Sequence, residues 1–165
     1  MENVIQENFI QLKKRDVIRI GIKDEDGNDT GEFLEFDFND IELPLKINKA
    51  SVEHEKNVRV CKMKFMAIDK QKDIKGKYVF SKNEEEKMKV IQEFYSKEIE
   101  VLDMILGDGG TKKVLNGRKP YYEMFDDIAG ELEKLSPLFE KCLKGINDNI
   151  RNKYKNVTKE GNIIE

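Results

Sequence analysis

A chain of 165 residues that is 38% hydrophobic and 38% charged is long enough to bury the core of one domain, and is far more charged than the roughly 25% typical of soluble domains. Thirty Lys and Arg nearly balance thirty-three Asp and Glu, for a net charge of −3, which argues against the basic excess of a dedicated nucleic-acid binder. No apolar run approaches the roughly 18 residues of a membrane span, and Met1–Arg15 lacks the charged-then-apolar order of a signal peptide, so the expectation is a soluble, intracellular protein.

Residues 1–15 scatter apolar positions (Val4, Ile5, Phe9, Ile10, Leu12) among polar ones and read as an N-terminal arm, either a short helix or a segment that orders on a partner. A small β unit is expected over 16–47. Ile18, Ile20 and Ile22 alternate with Arg19 and Gly21, and Leu34, Phe36 and Phe38 alternate with Glu35 and Asp37, the period of half-buried strands. Lys23–Glu32, rich in Asp, Asn and Gly, supplies the turn of an antiparallel hairpin. Ile41–Ile47 reads as a third short strand, confined to an edge by Pro44.

From Asn48 the period becomes helical, and a helical domain is expected over 48–157. Val58, Cys61, Phe65 and Ile68 mark the first helix, with Val52 earlier and Asn48 or Ser51 as its cap. Asp73–Asn83 is a loop, and Asn83 ahead of Glu84, Glu85 and Glu86 suits a helix start because carboxylates favour the positive end of the helix dipole. The second helix carries Met88, Ile91, Phe94 or Tyr95, Ile99, Leu102 and Leu106 and ends at Gly107. Gly107–Gly117, GDGGTKKVLNG, is a glycine-rich joint in which Thr111 caps a short Lys112–Asn116 turn. Pro120 opens the next helix (Tyr121, Met124 or Phe125, Ile128, Leu132, Leu135), and Ser136–Pro137 breaks it before a last helix on Phe139, Cys142 or Leu143, Ile146, Ile150 and Tyr154. Thr158–Glu165 reads as a loose tail. The fold class is α+β: a small N-terminal antiparallel hairpin or sheet, then a mainly α-helical C-terminal two-thirds.

No motif assembles an active site. Asp24–Glu35 approaches a calcium-loop spacing, but Asp29 stands where glycine is needed and strands flank it, so it reads as a solvated hairpin turn. GDGGTKK has the composition of a phosphate loop, yet threonine precedes lysine and a helix precedes the loop, so the expectation is a flexible helix-to-helix joint. The lone His54 reads as an exposed helix-start residue, and Lys62, Lys64, Lys70, Lys72, Lys75 and Lys77 as a solvated face. Cys61 and Cys142 read as small buried hydrophobes, and with one histidine a zinc site of the usual kind lacks ligands. No cofactor, no metal and no enzymatic activity are expected.

The C-terminal half carries a resemblance. A helix ending Val101-Leu-Asp-Met-Ile-Leu-Gly107, the joint Asp-Gly-Gly-Thr-Lys-Lys-Val-Leu-Asn-Gly117, an aromatic-bearing helix and a last helix running into Asn152-Lys-Tyr-Lys155 together resemble the tail-assembly chaperones of long-tailed phages and prophages of Gram-positive bacteria. The similarity covers about residues 86–155. It implies a non-enzymatic protein of the host bacterial cytoplasm that coats the helical tape-measure protein in many copies, self-associates, and keeps its partner soluble until tail-tube subunits polymerise. In that family a frameshifted longer form often recruits the tube subunit. The positions expected to bind the partner are Phe94, Tyr95, Leu115, Tyr121, Tyr122 and Phe125, some of which must also serve the core. The rival readings are a structural tail or head-to-tail connector protein retained in the virion and a small enzyme or nucleotide-dependent factor.

Overall fold

The computed structural model describes residues 8–15, 17–37, 40, 42–77 and 79–161, the side chains only as far as Lys155. It is α+β: one antiparallel hairpin followed by five helices. Strand β1 (Val17–Lys23) pairs with β2 (Asp29–Asp37), Ile20 opposite Leu34 and Arg19 opposite Glu35, with an irregularity between Gly21 and Lys23. The turn closes as its composition predicts. Asp24 Oδ1 accepts the N–H groups of Asp26 and Asn28, and Gly27 takes a positive φ of 80°. Phe38 and residues 1–7 of the N-terminal arm lie outside the described residues.

The expected third strand is instead the start of a helix. Helix α1 spans Glu42–Asp69, so the helical period begins six residues before Asn48. Leu43, Ile47, Ala50, His54, Val58, Cys61, Phe65 and Ile68 recur at spacings of three and four, and a stripe of eight positions outweighs the brief alternation of Ile41–Ile47. Pro44 sits in the first turn, where its missing N–H had no partner to lose, and Asp40 Oδ1 accepts the N–H of Glu42 in place of the expected Asn48 or Ser51 cap. Val52 points to solvent.

Helix α2 (Lys82–Leu106) returns antiparallel to α1. Its cap is Ser81, two residues before the expected Asn83: Ser81 Oγ accepts from Glu84 N–H while Glu84 Oε2 accepts from Ser81 N–H, a complete capping box. Asn83 closes the loop instead, donating to the carbonyls of Ile68 and Gln71. Phe94, Leu102 and Leu106 are buried as the stripe predicts, whereas Met88 is largely exposed. Helix α3 (Gly110–Leu115) follows the joint. Helix α4 (Met124–Glu133) starts four residues after Pro120, and α5 (Ser136–Gly161) starts at the expected Ser136–Pro137 break. It continues through Gly161, past the Thr158 expected to begin a tail. The core joins Ile22, Leu34 and Phe36 of the hairpin to Leu43 and Ala50 of α1, the last two turns of α2, and Met124, Phe125 and Ile128 of α4. Cys61 and Cys142 are half-buried and form no disulfide among the described residues, and burial pushes the Cys61 thiol up. Among the described residues no helix is long and apolar enough to cross a membrane.

Candidate functional site

The joint after α2 is tied by hydrogen bonds to the helix that precedes it. Gly107, Gly109 and Gly117 take positive φ values of 88°, 74° and 83°, and Asn116 one of 47°, so both ends of α3 turn through the left-handed region where a side chain is costly. Asp103, in the last turn of α2, reaches across. Its Oδ1 accepts the Thr111 hydroxyl at 2.6 Å and the Thr111 N–H at 2.9 Å, and its Oδ2 accepts the Gly109 N–H at 3.3 Å. Thr111 therefore does not cap α3 with its own side chain. It is fully buried, and Asp103 serves the first amides of α3 from the preceding helix. Gly110 is present because α3 lies against α2: a Cβ there would stand 2.5 Å from the Leu106 Cβ.

A second polar constellation lies inside the helical body. His54, expected at an exposed helix start, sits three turns into α1 with a side chain only 15% accessible. Its Nδ1 is 2.5 Å from Oε2 of Glu98, which is 1% exposed, and Glu98 Oε1 accepts from Asn57 Nδ2 at 2.9 Å. The imidazole stacks on Phe125 at 3.8 Å with the planes 5° apart, and Nε2 lies 3.7 Å from Oδ1 of the exposed Asp126. Carboxylates on both sides of an imidazole are the materials of proton transfer. Here they tie α1, α2 and α4 together under the cover of Phe125. The sequence carried one sign of this, since Glu98 lies four residues after Phe94 and four before Leu102, a carboxylate in the middle of an apolar stripe. Dense charge elsewhere hid it. Among the described residues no three His, Cys, Asp or Glu side chains converge as metal ligands.

The six expected partner-binding positions divide by burial. Phe94 and Phe125 are core residues. Tyr122 is 54% exposed and stacks on Phe94, ring centroids 5.5 Å apart, and the half-buried Tyr95 meets Phe94 from the side at 6.0 Å. Leu115 and Tyr121 lie apart from that group, half-buried, beside grooves formed by β1, α3 and α4. The more apolar of these, about 550 Å³, is walled by Ile20, Ile22, Leu34, Val114, Ile128 and Leu132, with Tyr121 on its margin. Tyr121 is held there by the Arg118 guanidinium 4.1 Å over its ring and by the hydrogen bond its hydroxyl donates to Asp127 Oδ2 at 2.8 Å. Burial, then that bond to a carboxylate, raises the Tyr121 phenol above its ordinary value. Tyr95 and Tyr122 thus gather on Phe94, whereas Leu115 and Tyr121 line the grooves. No protein-family model, curated protein or solved structure matches this chain significantly.

Proposed function

We propose that the protein is a non-enzymatic tail-assembly chaperone that binds and solubilises the helical tape-measure protein of a long-tailed phage or prophage in the host cytoplasm. The observation that carries this reading is the pairing of a pinned glycine joint with apolar surface beside it. The groove of about 550 Å³ and the exposed Tyr122 face leave part of the protein's apolar surface outside its own core. A long amphipathic helix aggregates unless its stripe is covered, and a small helical protein with a preformed apolar groove covers it at low entropic cost. Tyr95, Leu115, Tyr121 and Tyr122 are the binding positions on this reading, while Phe94 backs Tyr95 and Tyr122 from the core and Phe125 is a core residue stacked on His54. Many copies along one rod, self-association and recruitment of the tail-tube subunit belong to the same proposal.

Co-expression with a phage tape-measure protein, followed by affinity capture and light scattering, tests the reading. A soluble complex with many copies of this chain per partner, lost in Tyr122→Ser together with Tyr121→Ser, is the expected result. An insoluble partner, with this chain forming a discrete ring by itself, overturns it in favour of a connector protein retained in the particle.

A further inference from the structure

Helices α1 and α2 run on together past the shared core. That core takes Leu43 and Ala50 from α1 and Val101, Leu102, Ile105 and Leu106 from α2, and His54 meets α4 through Phe125. Among the described residues from 58 to 93, only Ile68 is buried. Asp69 ends α1 about 22 Å beyond His54 along the helix, so the pair closes in a tip, residues 70–81, that lies beyond the core. The tip is held by its own bonds. Lys82 N–H donates to the Ile74 carbonyl at 2.9 Å, and Asp73 Oδ1 accepts the N–H groups of Ile74 and Asn83. Gly76 lies so close to the Phe80 carbonyl that a Cβ there would collide with it. This fold-back leaves Ile74, Val79 and Phe80 59%, 84% and 51% exposed.

The charge of the tip runs against that of the chain. Residues 70–82 carry five lysines (Lys70, Lys72, Lys75, Lys77 and Lys82) and one carboxylate, Asp73, in a protein whose net charge is −3. Asp73 is engaged with the loop's own amides. The acidic residues on either side are engaged as well: Asp69 with Lys87, Glu84 with the Ser81 N–H, Glu85 with Lys89 and Glu86 with Lys82. Lys70, Lys72 and Lys75 make no ion pair among the described residues. Unpaired ammonium groups and three exposed apolar side chains therefore share one short, ordered loop.

We infer that this tip docks on a bilayer surface rich in anionic lipid, with Ile74, Val79 and Phe80 entering the headgroup region and Lys70, Lys72 and Lys75 resting on the lipid phosphates and carboxylates. Apolar area and electrostatic attraction add in such binding, and lysine stems lie along apolar surface while their ammonium groups stay at the charged interface. The other polyanions fit less well. A nucleic acid is gripped by a groove with arginines and stacking rings, whereas Ile74 and Val79 offer no ring face and residues 70–82 contain no arginine. An acidic amphipathic helix needs a groove to lie in, and the end of a two-helix pair is not one. Helix α2 sets the tip about 37 Å from the joint, so this inference goes beyond the function proposed above and stands apart from it.

The test uses the full-length protein, co-sedimented with vesicles of phosphatidylcholine alone or mixed with phosphatidylserine. The chain has no tryptophan, so Phe80→Trp places a single reporter at the tip, whose emission shifts to the blue when it leaves water. Expected are binding to the phosphatidylserine vesicles that weakens with salt, binding at least roughly tenfold weaker to phosphatidylcholine, and a blue shift only in the bound state. Lys70→Glu/Lys72→Glu/Lys75→Glu and Ile74→Ser/Val79→Ser should each weaken binding at least roughly tenfold. Both should keep the parent's melting temperature, because none of these side chains is buried. No binding, binding without a blue shift, binding untouched by either set of substitutions, competition by soluble glycerophosphoserine, or tighter binding to a single-stranded oligonucleotide or to polyglutamate each overturns the inference. Solubilisation of the tape-measure protein is scored separately, so a failure at the tip does not count against the surfaces beside the joint.

Discussion

Replacing His54 with phenylalanine keeps a ring over Phe125 but strips Glu98 Oε2 of its 2.5 Å partner, leaving the carboxylate with Asn57 Nδ2 alone. Glu98 is 1% exposed, so solvent cannot compensate. Removing one member of a buried charged or strongly hydrogen-bonded pair costs about 3–5 kcal/mol, because the survivor stays buried and under-satisfied. In a chain of this length each kcal/mol lowers the melting temperature by roughly 2–4 °C, so His54→Phe should melt on the order of 10 °C below the parent. Replacing both partners by apolar groups is often near neutral, so His54→Phe/Glu98→Leu should recover most of the loss, to within about 1–2 kcal/mol of the parent. Urea unfolding of the parent, both single variants and the double variant, followed by circular dichroism, yields the coupling between the two sites directly. A His54→Phe cost below about 1 kcal/mol, or a double variant whose loss equals the sum of the singles, would refute the idea that this pair locks the helices together.

Three other outcomes are expected. Gly110→Ala should destabilise by about 1–3 kcal/mol by driving a Cβ against Leu106, whereas Gly130→Ala, in an open position on α4, should stabilise by roughly 0.5–1 kcal/mol; thermal melts of the two with the same sign would contradict the close packing of α3 on α2. Ser81→Ala removes the capping-box hydroxyl and should cost about 1 kcal/mol in the same melts. The carboxyl of Glu93 is held below its ordinary value of 4.5 by hydrogen bonds from Lys64 and then Lys97. Its contribution is present above about pH 4.5 and is lost as pH falls through the lower folded value, so Glu93→Gln should be less stable than the parent near neutrality and converge with it in acid; a constant gap across that range would remove Glu93 from the account.

The hairpin, the break at Ser136–Pro137 and the end of α2 at Gly107 were legible because each rests on local chemistry: alternation, proline and a left-handed glycine. The start of α1 was misread because Ile41, Leu43, Leu45 and Ile47 fit a strand over seven residues and a helix only when the stripe is followed to Ile68. The composition of the joint points to a turn but not to the bonds that tie it down, since the residue that accepts them, Asp103, belongs to the preceding helix. His54 and Glu98 are forty-four residues apart, and their meeting depends on the antiparallel pairing of α1 with α2. Among the aromatics, spacing places Phe94, Tyr95, Tyr121 and Tyr122 on helices or turns without saying which neighbour covers them. The stack of Tyr122 on Phe94 decides that one is seen by solvent and the other is not.

Two strands alone are marginal in water, and among the described residues β1 and β2 pair only with each other. They persist because Ile22, Leu34 and Phe36 are buried in the core shared with the helices. The hydrogen-bonded ladder amides of β1 and β2 can therefore exchange with deuterium only when that shared core releases the hairpin, and they act as a gauge of cooperative opening. The amides of α5, which carries no buried side chain as far as Lys155, should exchange from smaller, earlier openings.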